Sequence, residues 1–259
     1  MNTISALAGV VVKELYRRKD FYVLFVLTAL MTLIMGSMNF FNDKSIAGYL
    51  KEGCLWLIWI SALVISIVTT ARQIPAEREN RTIFPLLAKP VTRNQVILGK
   101  FAGCWLASGI ALVVFYLFFT IVAGTRENQW PVINYLQALW LHWMMLAVVI
   151  SLALLGSIVF AAPSSNSTIC FIVVLGILLV GGHLDQVALR QSEPLKTIIY
   201  TVFFLIPHLE WYDVRKLVFF DQALVPWLAC AKATLYAALY SAMLLVAAGL
   251  AFRRKALNL

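Results

Sequence analysis

The chain has 259 residues, of which 62% are hydrophobic and only 13% are charged, about half the charged share of a soluble domain. One core of this size cannot hide so much apolar surface from water, which excludes an ordinary globular enzyme and predicts contact with lipid. The formal net charge is +9, but the basic residues flank apolar runs and form no nucleic-acid motif. They therefore indicate membrane topology, and we expect no nucleic-acid partner.

The first residues have the pattern of an amphipathic helix. Ile4, Leu7 and Val11 recur at helical spacing, with Arg17 on another face, and this pattern predicts an interfacial helix over 1–20. Such a helix is either a membrane-surface anchor or an elbow helix that contacts a cytoplasmic partner, and the sequence leaves both open. No small-residue cleavage site follows the first apolar run, so we expect no cleaved signal peptide.

Six apolar stretches are long enough to cross a bilayer, which takes about 20 residues per helix. They cover residues 21–41, 53–71, 101–124, 136–162, 163–182 and 226–252. The whole chain, 1–259, is therefore predicted to be one all-α transmembrane domain with six transmembrane helices. Lys232 lies near the start of the last stretch and is expected to snorkel, with an ion pathway as the alternative. The four cysteines lie in apolar runs and are expected to be small buried side chains.

Charge distribution predicts the orientation. Most of the 21 basic residues fall at the N-terminus, in the loop 72–100 and at the C-terminus, so both termini are predicted to be cytoplasmic. The segment 183–225 carries several acids and is predicted to be external. Within it, the apolar run 197–206 is too short to cross the membrane and is expected to form a short external helix, interfacial or re-entrant.

The sequence offers no catalytic or metal-binding constellation. His142, His183 and His208 share no ligand spacing, and neither a GxSxG elbow nor paired intramembrane carboxylates occur. His142 lies between two tryptophans in the chain and is expected in the outer interfacial belt, with a proton relay as the alternative.

The loop 72–100 is the most informative segment. Pro75 suits the first turn of a helix, where the helix dipole also favours the acids Glu77 and Glu79. Pro85 then ends or kinks that helix. These features predict a short amphipathic helix at the membrane surface, whose exposed side chains need a binding partner or lipid headgroups.

The end of the same loop carries a helix-start signal. Thr92 and Gln95 have the spacing of a capping box, in which each side chain satisfies a backbone donor of the other residue. Val91 and Val96 add the apolar pair of a hydrophobic staple. We therefore expect the helix of the third span to begin near Arg93.

Three strings in this loop, ERENRT at 77–82, KPVTR at 89–93 and LGK at 98–100, resemble the loop between the second and third spans of ABC-2 type transporter permeases. The resemblance extends to the amphipathic N-terminus, the six spans and the short external helices before the last span. Two residues depart from the pattern. Arg81 stands where the family usually has glycine, and Pro85 interrupts a leucine-rich stretch.

The resemblance implies that the loop contains a coupling helix that docks on a separate ABC ATPase, the nucleotide-binding subunit. The residues implied in that contact are Glu77, Arg78, Glu79, Arg81, Thr82, Phe84, Leu87 and Arg93. This chain itself has no P-loop, since Gly99-Lys100 is followed by Phe101 and lacks the upstream glycine. ATP and magnesium are thus expected on the partner, with no cofactor and no catalysis here.

The same resemblance implies an exporter permease that pairs with a second copy or a paralogue in the inner (cytoplasmic) membrane of a prokaryote, surrounded by membrane lipid. Two alternatives stay open. One is a mechanotransmitter that acts on an extracytoplasmic protein, and the other is an ion-coupled secondary transporter, which normally buries ionisable residues at the membrane midplane. The substrate is not indicated by the sequence.

Overall fold

The computed structural model describes residues 3–17, 19–37, 44–79, 92–127, 130–215 and 224–254. Within these ranges the chain is helical and contains no strand, which confirms the all-α prediction. The elements are α1 (Thr3–Tyr16), α2 (Lys19–Ser37), α3 (Lys44–Ala71), α4 (Gln73–Glu79), α5 (Arg93–Glu127), α6 (Val132–Val159), α7 (Pro163–Leu189), α8 (Leu195–Leu205), a 3₁₀ helix (Leu209–Tyr212) and α9 (Trp227–Arg254).

Among the described residues, α3, α5, α6, α7 and α9 are long and apolar enough to cross a membrane. The protein is therefore a multi-pass membrane protein. Helix α2 covers the first predicted span with 19 residues, but its described apolar part, Phe25–Ile34, is shorter than a bilayer crossing. A total of six spans stays a prediction.

The long helices alternate in direction, and side-chain hydrogen bonds join their ends. At one end, Asn166 near the start of α7 donates to the carbonyls of Ala71 in α3 (3.5 Å) and Ala153 in α6 (3.0 Å). We call this the α4 end, because α4 lies beside it, and the opposite end the 3₁₀ end. At the 3₁₀ end, Gln137 of α6 bonds the backbone of Val225 just before α9.

Helices α3, α5 and α6 form the centre of the bundle, and α5 and α6 cross at a pair of tryptophans. The indoles of Trp105 and Trp143 stack with centroids 4.4 Å apart, and each N–H donates to the other residue's carbonyl, at 3.1 and 3.0 Å. Gly109 permits this approach, since a Cβ there would lie 2.5 Å from Trp143 Nε1. Apolar surroundings offer indole N–H groups no water, so these bonds fix the crossing.

Several helices extend beyond the predicted spans. Helix α3 begins at Lys44 instead of residue 53, and α7 continues to Leu189 instead of residue 182. Hydropathy marks only the apolar part of a helix, whereas the backbone hydrogen bonds continue through polar turns. One consequence is that Lys51 lies within α3, 3% exposed, with Nζ 6.0 Å from the centre of the Tyr135 ring.

His142 does not lie where we expected it. It is 1% exposed, with its ring centroid 6.0 Å from that of Trp59 and 6.2 Å from that of Tyr116. The prediction of an outer interfacial belt is wrong because residues two apart lie about 200° apart around a helix. Trp140 therefore faces outward while His142 faces the core. The four cysteines are all buried, as predicted.

The segment after α8 packs onto the bundle through Arg215, which is 8% exposed. Its guanidinium lies 3.5 Å from the ring centroid of Trp56 and 4.5 Å from that of Trp59, both in α3. The same group donates to both carboxylate oxygens of Asp213, at 2.7 and 2.6 Å. Burial alone would raise the pKa of Asp213, but the hydrogen bonds and charge of Arg215 outweigh it and hold that pKa below its ordinary value.

Candidate functional site

Helix α4 is fixed to the end of the bundle by its first residues. It follows α3 after Arg72 alone, and Gln73, Ile74 and Pro75 are buried. Ile74 belongs to an apolar cluster shared by the spans, with Ile97, Leu154, Ile158, Ala248 and Phe252. Pro75 lies in the first turn, as predicted. The helix therefore begins in the core and ends at the surface, where Glu79 is exposed.

A chain of polar contacts, which we call the polar network, joins α1, α4 and α5. Lys100 of α5 places Nζ 2.7 Å from Glu77 Oε1 and 3.1 Å from Gln73 Oε1. Gln73 Nε2 in turn lies 3.5 Å from Glu14 Oε2 and 3.3 Å from the Thr69 carbonyl. The side chain of Lys100 is 5% exposed and that of Glu77 is 25% exposed. A buried ammonium needs such partners, so the position of α4 is coupled to the charge on Lys100.

Helix α1 packs against α5 at two glycines. A Cβ at Gly99 would lie 2.8 Å from Leu7 Cβ, and one at Gly103 would lie 2.7 Å from Val11 Cβ. Only glycine permits so close an approach, and the four-residue spacing repeats it one turn later. Val11 is consequently buried at 2%. The apolar face of α1 thus packs on a span helix beside the polar network.

The start of α5 has the capping box that the sequence predicts. The backbone N–H of Thr92 donates to Gln95 Oε1 at 2.9 Å, and the N–H of Gln95 donates to Thr92 Oγ1 at 3.3 Å. Helix α5 begins at Arg93, as expected. Val91, the first residue of the predicted hydrophobic staple, lies outside the described residues.

Arg93 joins this helix start to the end of α9. Its Nη1 donates to the carbonyls of Phe252, at 2.6 Å, and Arg253, at 3.3 Å. Its guanidinium carbon also lies 5.4 Å from the centre of the Phe252 ring. The last carbonyls of a helix lack partners within the helix, so Arg93 supplies both hydrogen bonds and a favourable charge there.

The family model described as ABC-2 family transporter protein matches residues 9–256, nearly the entire chain. The chain belongs to the ABC-2 transporter family. This confirms the resemblance drawn from the loop strings and makes the protein a membrane permease component of an ABC transporter, not itself the catalytic subunit. No curated protein matches the sequence significantly.

In this ABC-2 permease, the predicted contact residues fall into three groups. Arg78 and Glu79 lie on the outer part of α4, part-buried and exposed respectively. Glu77 and Arg93 instead make the internal contacts described above. Arg81, Thr82, Phe84 and Leu87 lie outside the described residues, so their contacts stay predictions.

The sequence reasoning missed several residues that hold the site together. Glu14, Gln73 and Asn166 had no local signal, because their partners are distant in the chain. Lys100 did have one, since it ends the LGK string, and a lysine entering an apolar helix requires a buried partner. Among the described residues, no group of three or more His, Cys, Asp or Glu side chains could hold a metal. The arrangement orients a surface helix on the permease.

Proposed function

We propose that the chain is the transmembrane permease subunit of an ABC exporter and that α4 is its docking element for a separate ATPase. The observation that supports this proposal is the buried Lys100–Glu77 ion pair, which attaches a short surface helix firmly to the spans. A docking helix must transmit displacement, and a helix held only by solvent-exposed contacts would yield instead.

The connections of α4 suit such a role. It continues from α3, packs against α6 and is tied to α5 and α1 through the polar network. Closure of an attached ATPase would therefore move several spans together. Glu79 remains exposed on the outer side, where a basic side chain of a partner can pair with it.

The proposed orientation places the α4 end in the cytoplasm. Arg72, Arg93, Arg253 and Arg254 all lie at that end of the described helices, which is the distribution that the positive-inside rule associates with the cytoplasm. ATP and magnesium would then be held by the partner on the side where ATP is available. Two permease copies and two ATPases form the expected assembly, because such ATPases act as dimers.

Co-purification tests the docking role. Glu79→Lys reverses an exposed charge on α4 and is expected to weaken association with the co-expressed ATPase about tenfold, without altering permease yield. Glu193→Lys, an exposed acid at the 3₁₀ end, is the matched control and should leave association unchanged. Equal retention of the ATPase by both variants would remove α4 from the interface. Robust transport by the permease alone, driven by an ion gradient, would instead indicate a secondary transporter.

Helix α8 supports a second candidate function. None of its residues is buried, and Phe204 and Leu205 are 75% and 72% exposed. Such an apolar helix can lie on the membrane or contact an extracytoplasmic protein, which a mechanotransmitter would require. ATP-dependent solute movement by the reconstituted complex, without any added extracytoplasmic protein, would support the exporter and contradict the mechanotransmitter.

A further inference from the structure

A groove of about 430 Å³ runs between the first turns of α5 and the last turns of α9 at the α4 end. Its walls are aliphatic over most of their length. Leu98, Val246 and Leu250 line it and are 42%, 63% and 51% exposed, so the groove opens to the outside of the bundle. In a membrane, either lipid or a second protein chain can occupy such an opening.

Two contacts define the shape of the groove. Arg93 bonds the Phe252 carbonyl at 2.6 Å and holds the last turn of α9 against the start of α5. Gly249 deepens the space between the helices, because a Cβ there would lie 3.2 Å from Asn94 Oδ1. The groove is therefore a fixed feature of the helix pair.

The polar side chains of the groove all lie at one end. Asn94 and Arg253 line it where the two helices reach the α4 end, and both are exposed. A suitable occupant has a long apolar body with a negative group at one end only. We infer that the groove binds an anionic phospholipid, with an acyl chain along Leu98, Val246 and Leu250 and the headgroup phosphate at Arg253 and Asn94.

Charge also argues against a second copy of the chain in this groove. Copies in one membrane share their orientation, so a two-fold contact here would bring Arg253 and Arg254 of both copies together. Like charges at such a contact are unfavourable, whereas a phosphate complements them. The inference depends on the proposed orientation only for which leaflet supplies the lipid, and binding itself can be measured without the ATPase.

Native mass spectrometry of the purified full chain, titrated with dioleoylphosphatidylglycerol or dioleoylphosphatidylcholine, tests the headgroup contact. Arg253→Gln is expected to weaken phosphatidylglycerol binding about fivefold, the factor for one basic residue at a lipid surface. Arg254→Gln is the matched control, since Arg254 is also exposed but does not line the groove. It should weaken binding clearly less than Arg253→Gln, because its side chain makes no contact with a lipid held in the groove. Equal losses in the two variants would reduce the effect to general surface charge and overturn the inference.

A second pair of variants tests the acyl-chain contact. Ala242→Phe fills the groove and is expected to weaken binding of both lipids, whereas Ala238→Phe, exposed one turn away, should not. Unchanged melting temperature verifies that both variants fold. Unaltered lipid binding by Ala242→Phe would overturn the inference, and a shift from dimer to monomer with unaltered lipid binding would assign the groove to a second copy instead.

Discussion

Each end of the bundle holds a buried cation paired with an acid. One pair connects two helices, whereas the other lies within a single segment. At the α4 end, Lys100 and Glu77 are 23 positions apart on separate helices, so the ion pair itself connects α4 to α5. At the 3₁₀ end, Arg215 and Asp213 are 2 positions apart in one segment. There the contact with the bundle is made by the Arg215 guanidinium, which stacks on the rings of Trp56 and Trp59.

This difference determines whether removing the acid or removing the cation costs more stability at each end. Glu77 is 25% exposed and can turn to water if its lysine is lost, whereas Lys100, at 5%, cannot. Removing Glu77 should therefore destabilise the protein more than removing Lys100. At the 3₁₀ end, Arg215 makes both the ion pair and the contact with α3, so removing the cation should be worse. The order of effects is predicted to invert between the ends.

The largest expected effect is that of Arg215→Met. It removes the stacking of a buried guanidinium on two tryptophans, while Asp213, at 29% exposed, can turn to water. We expect a loss of about 3–5 kcal/mol in the free energy of unfolding, measured by SDS titration in mixed micelles, because each desolvated contact of this kind contributes about 2 kcal/mol. Arg190→Met, an exposed arginine in the turn after α7, should cost under about 0.5 kcal/mol. Similar values for the two variants would show that Arg215 does not attach the segment to α3.

The α4 end should show the opposite order. Glu77→Gln leaves the Lys100 ammonium buried without its countercharge and is expected to cost about 3 kcal/mol in the same titration. Lys100→Met should cost only about 1 kcal/mol, because Glu77 can then be hydrated. The double variant should be more stable than Glu77→Gln alone. If Lys100→Met proves the more damaging single change, the proposed asymmetry is wrong.

Asp213→Asn should have a smaller effect that depends on pH. It weakens two charge-assisted hydrogen bonds but keeps the tryptophan stack, so a loss of about 1–2 kcal/mol is expected at neutral pH. The folded-state pKa of Asp213 is depressed below its ordinary value of 3.8. Its contribution is therefore present above that value and lost as the pH falls through the folded-state pKa.

The measurement is the stability difference between the wild-type chain and Asp213→Asn as a function of pH. This difference should be constant near neutrality and shrink once the pH falls below about 4. A difference that widens in acid would mean that the pKa of Asp213 is raised in the folded protein.

Local signals predicted the parts of the fold that depend on neighbouring residues. The Thr92–Gln95 capping box, the start of α7 at Pro163 and the position of Pro75 in α4 are all confirmed. In each case the physical cause is a hydrogen bond or a backbone angle within a few residues. The short helix α8 was likewise indicated by its bounding prolines, while its external location stays a prediction.

Contacts between distant residues could not be predicted in this way. In the sequence, Arg215 is one of several charged residues in the segment predicted to be external. Its aromatic partners in α3 lie far away in the chain. The burial of His142 depends on which side of α6 faces the core. The two tryptophans near it in the sequence led to the wrong prediction of an interfacial position. Gly99 and Gly103 carried an unused signal, since small residues four apart indicate close helix packing.

The smallest expected effect compares the two ends of a single helix. Thr92 and Thr125 are both exposed and lie at opposite ends of α5. Thr92 Oγ1 accepts from the Gln95 N–H, a donor without a helical partner, whereas Thr125 Oγ1 donates to the carbonyls of Ile121 and Val122 within the helix. The first bond satisfies an otherwise unpaired group and the second does not.

Thr92→Ala is therefore expected to lower the free energy of unfolding by about 1 kcal/mol, and Thr125→Ala to change it by less than about 0.5 kcal/mol. Gln95→Ala removes the reciprocal half of the capping box, and the double variant Thr92→Ala/Gln95→Ala should be less destabilised than the sum of the single changes. Since the capping box and Arg93 occupy adjacent positions, loosening this helix start should also increase hydrogen exchange in the last turn of α9. Exchange confined to α5 would show that the Arg93 contacts hold α9 independently of the cap.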